Sequence, residues 1–178
     1  MKMKKALLLF CVVNFFAIFN IVVAQENPNK YERNFKFGIG LNGGLPLNDP
    51  YELNLGGDIR VQYNISSTYS LCFTAGYNNL FAKDEGKNLA YVPLKVGYKT
   101  FLFSNEFYVM GELGGAFSTS KDNHANSMLF SPSVGYATKN IDISLGYQFL
   151  KNYPIIKNNV PDTGYAQLLL RLAYGFDL

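Results

Sequence analysis

The stretch Gln167-Leu168-Leu169-Leu170-Arg171-Leu172-Ala173-Tyr174-Gly175-Phe176-Asp177-Leu178 sorts into two faces. Leu168, Leu170, Leu172, Tyr174, Phe176 and Leu178 fall on one side, and Gln167, Leu169, Arg171, Ala173, Gly175 and Asp177 on the other. A repeat of two residues belongs to a strand, whose successive side chains point to opposite faces. The segment before it does the same, with Ile141, Ile143, Leu145, Tyr147 and Phe149 opposing Asp142, Ser144, Gly146 and Gln148.

Six more segments of this kind lie upstream, at 35–45, 53–65, 68–79, 90–100, 107–119 and 128–138. In the first, Phe35, Phe37, Ile39 and Leu41 oppose Lys36, Gly38, Gly40 and Asn42. In the fourth, Val92, Leu94, Val96 and Tyr98 oppose Tyr91, Lys95, Gly97 and Lys99. The links alternate as well. Ser66-Ser67, Phe103-Ser104-Asn105 and Lys139-Asn140 read as tight turns; Pro46 to Tyr51, Phe81 to Lys87, Lys121 to Ala125 and Lys151 to Asp162 read as longer polar links. Eight strands with short turns on one rim and long links on the other predict an all-β, antiparallel, up-and-down barrel. Pro93 and Pro132 fall inside predicted strands, so bulges or strand ends are expected beside them.

Composition agrees. The chain has 178 residues, one domain's worth, with 16% charged and 16% aromatic residues. That is too apolar for disorder and lacks the bias of a helical bundle. Of its 16 basic residues, Lys2, Lys4 and Lys5 sit at the extreme start, and the 13 that remain only balance 13 acidic ones. No basic footprint for nucleic acid is left. Lys2, Lys4 and Lys5 precede the apolar run Ala6 to Ala24, which turns polar at Gln25-Glu26-Asn27-Pro28. This is the layout of a secretory signal cleaved after Ala24, against the alternative of an uncleaved anchor. Residues 25–34 form a short N-terminal segment and 35–178 the barrel. Cys11 does not make a lipoprotein site, because bulky Phe10 precedes it. Cys72 is then the only mature thiol, so no internal disulfide is expected.

Alternation alone does not say which face is inside, but volume does. An eight-stranded lumen holds little more than its own side chains, and about forty bulky apolar groups cannot enter it. The smaller face, with Lys36, Asp58, Arg60, Lys95, Lys99, Glu112, Asp142 and Arg171, fits within, where opposite charges can pair. An outward Arg171 near the membrane midplane would cost about 2–4 kcal/mol. Phe35, Tyr63, Tyr69, Tyr98, Phe107, Tyr174 and Phe176 gather toward strand ends, where aromatic girdles belong. The expectation is apolar side outward, toward lipid, around a plug of paired charges; a polar pathway is the alternative reading of the same residues.

The signal segment, the eight alternating strands and the final Leu170-x-Leu172-x-Tyr174-x-Phe176-x-Leu178 resemble the small outer-membrane barrels of the OmpA/OmpX type and the "porin family" proteins that share this outline. The resemblance implies a Gram-negative outer-membrane location, contact with outer-membrane lipid, and a last strand read by the barrel-insertion machinery. In that family the strand usually ends in an aromatic residue, whereas here Leu178 is last and Phe176 stands two earlier. The resemblance also leads to the expectation that no peptidoglycan-binding domain follows.

Other motifs weigh less. Gly38-x-Gly40-x-x-Gly43 matches a dinucleotide fingerprint, but Gly44, Pro46 and Pro50 follow where that motif needs a helix. Gly111-x-x-x-Gly115 lacks the apolar 20-mer of a helix dimer, and Asn64-Ile65-Ser66 is a glycosylation triplet without use in a bacterial barrel. One histidine and one mature cysteine argue against a metal centre, and no cofactor is expected. His124, near Ser118, Ser120 and Asp122, leaves a membrane-embedded hydrolase as one alternative. A soluble lipocalin-like carrier, apolar face inward, is the other. The leading expectation is a non-enzymatic outer-membrane barrel whose long links, above all 151–162, meet the outside.

Overall fold

The computed structural model describes residues 34–83, 88–102, 106–119, 126–157 and 160–177. The expected signal at 1–24, residues 25–33 of the N-terminal segment, the loop residues Ser120 to Ala125 with His124, and Leu178 lie outside them. Eight strands follow in order: β1 (Phe35–Pro46), β2 (Tyr51–Asn64), β3 (Tyr69–Ala82), β4 (Leu89–Leu102), β5 (Phe107–Ser118), β6 (Asn126–Ala137), β7 (Ile141–Lys157) and β8 (Val160–Asp177). Each pairs antiparallel with the next, and β1 closes on β8 from Lys36↔Asp177 to Pro46↔Gln167. Around the closed ring the sheet thus has no free edge, the condition for placing strand backbone in hydrocarbon.

The alternation read from the chain maps onto the wall. Ile39, Leu41, Ile59, Phe73, Leu94, Val96, Leu113, Val134, Ile143, Leu145, Leu170 and Leu172 are exposed on the outside, Leu41 most of all at 71%. Arg60, Lys99, Glu112 and Arg171 are buried on the inside. A lipocalin-like arrangement has the opposite polarity. Aromatic pairs ring the short-turn end, with Phe35 against Tyr63 at 4.8 Å, Tyr69 stacked on Tyr98 at 5.8 Å, and Phe107 edge-on to Tyr136 at 5.0 Å between centroids.

Three expectations change. Pro93 and Pro132 produce neither bulge nor strand end. The β3–β4 ladder lapses between Ala75↔Leu94 and Asn78↔Tyr91, and the β6–β7 ladder between Phe130↔Phe149 and Ser133↔Gly146, then each resumes in the same register. Both prolines keep their partners on the β5 side, Ala116 and Gly111. A missing N–H is therefore absorbed by one neighbour only, and inward–outward parity survives.

The 151–162 link is not a loop but mostly strand. Ile155↔Asp162, Ile156↔Pro161 and Lys157↔Val160 continue the β7–β8 ladder past an irregularity after Lys151. Pro154 and Pro161 suggest a loop on paper. Beyond Lys151 and Gln167, however, β7 and β8 have left β6 and β1 behind, so each strand has a free edge that tolerates proline. Finally, the Pro46–Tyr51 link shrinks to residues 47–50, no longer than the turn at 65–68 on the opposite rim.

Candidate functional site

The lumen is built in tiers, because every second residue of each strand points into it. At the rim of the longer links, Tyr51, Leu80, Tyr91, Ala116, Leu129, Leu150 and Tyr165 form one buried apolar cluster. They come from seven strands, β2 to β8, and close that end of the barrel. Just beneath lies a net of amides. The Tyr91 hydroxyl donates to Gln148 Oε1 at 2.9 Å and accepts from Gln167 Nε2 at 3.1 Å. Asn54 Nδ2 and the Tyr165 hydroxyl both donate to Gln167 Oε1, at 2.9 and 2.8 Å.

The ionic tier follows. Arg171 of β8 grips Asp58 of β2, with Nη2 2.6 Å from Oδ1 and Nε 2.9 Å from Oδ2. Asn42 Nδ2 donates to the same carboxylate at 2.8 Å. Glu112 of β5 receives Lys95 Nζ at 2.7 Å, Arg60 Nη2 at 3.1 Å and the Thr74 hydroxyl at 2.9 Å. Arg60 Nε is taken up by Thr74 Oγ1 at 2.9 Å. Toward the short-turn end, Lys99 Nζ lies 2.7 Å from Asp142 Oδ2 and 3.7 Å above the Tyr108 ring, whose hydroxyl donates to Asp142 Oδ1 at 2.6 Å. Arg171 Nη1 reaches the same carboxylate at 3.7 Å, so the two ionic groups touch.

Charges this deep are tolerable only when paired and fully hydrogen-bonded. The space they need comes from small residues on the same face. A Cβ at Gly40 would lie 2.8 Å from Arg171 Nη2, so glycine there leaves room for the guanidinium. The structure therefore brings together seven of the eight polar residues singled out above. Lys36 stands apart, half-buried at the short-turn end, beside a cavity of about 310 Å3. Of the last-strand residues, Leu170, Leu172, Tyr174 and Phe176 all face outward.

Sequence reasoning missed the apolar tier, having read the inward face as small and polar throughout. A signal existed: Met128-Leu129-Phe130 and Phe149-Leu150 break the alternation with a bulky residue at an inward position. Cys72 is wholly buried in a second small cluster with Tyr108 and Met110. Its Sγ lies 3.9 Å from Gln62 Oε1, with no imidazole beside it among the described residues. The chemistry available within is ion pairing and amide hydrogen bonding. Among the described residues no group of three or more His, Cys, Asp or Glu gathers as metal ligands do.

A closed antiparallel barrel of eight strands, apolar without and ionic within, is the fold of the small outer-membrane barrels of the OmpA/OmpX type. No family model matches the chain, and no curated protein matches its sequence. Solved structures do match. The crystal structure of Ail, the attachment invasion locus protein of Yersinia pestis, shares 15% identity at a TM-score of 0.53, over 82% of this chain and all of that one. The N-terminal β-barrel domain of Pseudomonas aeruginosa OprF shares 14% at 0.50, again over 82% of this chain and all of that one. A de novo designed transmembrane β-barrel shares 13% at 0.51, over 79% of this chain and 95% of that one. At such identities the likeness is one of fold.

Proposed function

We propose that this chain is an integral outer-membrane protein of a Gram-negative envelope, exported by residues 1–24 and inserted with its last strand, Leu170 to Leu178, as the assembly signal. In this reading it is a non-enzymatic, non-conducting wall element. Its longer-link rim, with the β7–β8 hairpin standing beyond the ring, is the surface offered to the cell exterior. Lipid holds the outward apolar belt.

One observation carries the reading: the lumen is crossed twice, by an apolar tier from seven strands and by the paired charges below it. Ions meeting the first would have to shed water against Leu80, Leu129 and Leu150, which offer no polar replacement. Aqueous channels belong to barrels with about twice as many strands.

Single-channel recording on the chain reconstituted in planar bilayers tests it. The expected trace has no unitary steps, while a detergent-solubilised sample runs anomalously on gels until heated, as closed barrels do. Reproducible ohmic steps would replace the sealed wall with a pore. Recovery of the protein from cells as a detergent-free soluble species would remove the membrane reading altogether.

A further inference from the structure

Inside the closed ring only two of the described ladders lapse, and each lapses at a proline. The β2–β3 and β7–β8 ladders shift only at their long-link ends, and the other four keep one register throughout. The β3–β4 register sets Pro93 opposite Gly76, and the β6–β7 register sets Pro132 opposite Tyr147. Proline has no N–H to donate, so the carbonyls of Gly76 and Tyr147 receive nothing from the facing strand.

Beyond the prolines, toward the long-link rim, β4 holds β3 only through Asn78↔Tyr91, Asn79↔Ala90 and Leu80↔Leu89. Likewise β6 holds β7 there only through Met128↔Lys151, Leu129↔Leu150 and Phe130↔Phe149. These short pieces carry Tyr91 and Leu129 of the apolar tier, with Ala116 on β5 between them. The breaks line up just beneath the tier. Pro93 lies two residues below Tyr91, Pro132 three below Leu129, and Gly114-Gly115 directly below Ala116. A Cβ at Gly114 would run into the Leu94 carbonyl, so the close approach of β4 requires glycine there. Two successive glycines also leave β5 its freest backbone at that depth.

We propose that residues 89–92, 116–118 and 126–131 form a flap, hinged on the line Pro93, Gly114-Gly115 and Pro132, that opens locally and carries Tyr91, Ala116 and Leu129 out of the apolar tier. Packing within the tier and the bonds of the Tyr91 hydroxyl to Gln148 and Gln167 hold it shut. The inference deepens the sealed-wall reading and rests on the tier as the seal, which is thus built with one movable part. Local opening needs less free energy than unfolding, and amide exchange reads it.

The ladder lapses on the β3 side of Pro93 alone, and backbone groups alternate between neighbours along a strand. Asn78 and Tyr91 therefore bond each other across that seam, and by the same argument Phe130 and Phe149 bond across the other. Leu150 and Tyr165 belong to the same tier but to an unbroken stretch of the β7–β8 ladder, and they are the reference.

The test is hydrogen-exchange NMR of the whole refolded chain in a non-ionic maltoside micelle. The amides of Asn78, Tyr91, Phe130 and Phe149 should exchange about tenfold or more faster than those of Leu150 and Tyr165. Protection should be alike on the two seams, since one flap moves. Pro132→Val returns a donor to the Tyr147 carbonyl, and position 132 faces outward like Phe130 and Val134. It should slow exchange at Phe130 and Phe149 by about fivefold, the worth of one net hydrogen bond. Pro93→Ala should do the same at Asn78 and Tyr91. Retained heat-modifiable migration certifies that each variant is folded.

Protection of the four amides equal to that of Leu150 and Tyr165 overturns the flap from the wild type alone, whether or not a variant folds. So does a folded variant whose seam exchanges as the wild type does. Exchange is read without any conductance. Unitary steps in a planar bilayer would overturn the sealed wall and leave this exchange pattern standing, so the two failures are distinct.

Discussion

Arg171 and Asp58 stand 113 residues apart in the chain, on β8 and β2, and meet through two parallel hydrogen bonds of 2.6 and 2.9 Å across the strand that separates them. That strand, β1, adds Asn42 to the same carboxylate and places Gly40 beneath the guanidinium. The pair therefore straddles the seam where the first strand closes on the last. A hydrogen-bonded ladder alone would close it, but the ion pair makes closure specific to this register.

Removing one partner should be far worse than removing both. Asp58→Asn removes the carboxylate beside buried Arg171, whose remaining counter-charge is Asp142 at the longer distance of 3.7 Å. Urea titration in lipid vesicles should register a loss of about 3–5 kcal/mol. The double replacement Asp58→Leu with Arg171→Met should recover most of that loss. A cost below about 1 kcal/mol for Asp58→Asn would mean that water reaches the pair.

Leu170 and Leu169 are neighbours on opposite faces, one 54% exposed and the other buried. Leu170→Arg puts a charge among acyl chains at a cost of about 2–4 kcal/mol near midplane, falling toward the interfaces. Leu169→Arg enters the lumen, where its ladder partners on both sides are glycines, Gly44 and Gly146. Assembly into a heat-modifiable species should fail or fall sharply for the first and persist for the second. Equal yields would contradict the facing of β8.

Leu150 is fully enclosed in the apolar tier. Leu150→Ala should lower stability by about 2–5 kcal/mol, the range for emptying a packed leucine site. Vesicle-based denaturant curves measure it. A near-zero change would show that the tier is loosely packed and does not seal.

Cys72 has no exposed surface. In a Cys11→Ser background, a maleimide-polyethylene glycol reagent should leave the folded chain unmodified for as long as it shows the folded gel mobility, and should label it at once in denaturant. Rapid labelling of the folded form would place Cys72 outside the lumen.

Much of this architecture can be read along the chain because strand parity is local. Leu170 outward makes Arg171 inward without reference to any other strand, and Ile143 with Asp142 repeats the rule. The β7–β8 hairpin is not legible in this way, because Pro154 and Pro161 argue against a strand only where it has neighbours on both sides. Whether it does depends on where β1 and β6 end. Leu129 and Leu150 are not legible either, because a bulky inward residue looks like a lapse in alternation until six other strands supply its companions.

Composition and a period of two thus set the barrel, its number of strands and the polarity of its wall, since each follows from side-chain direction and from the volume an eight-stranded lumen can hold. Which inward residues meet was settled by closure. Arg171 finds Asp58, and Lys95 and Arg60 share Glu112, because the stagger of each strand against the next fixes depth in the lumen. That stagger comes from turn lengths and ladder registers summed around the ring, a quantity no single segment contains.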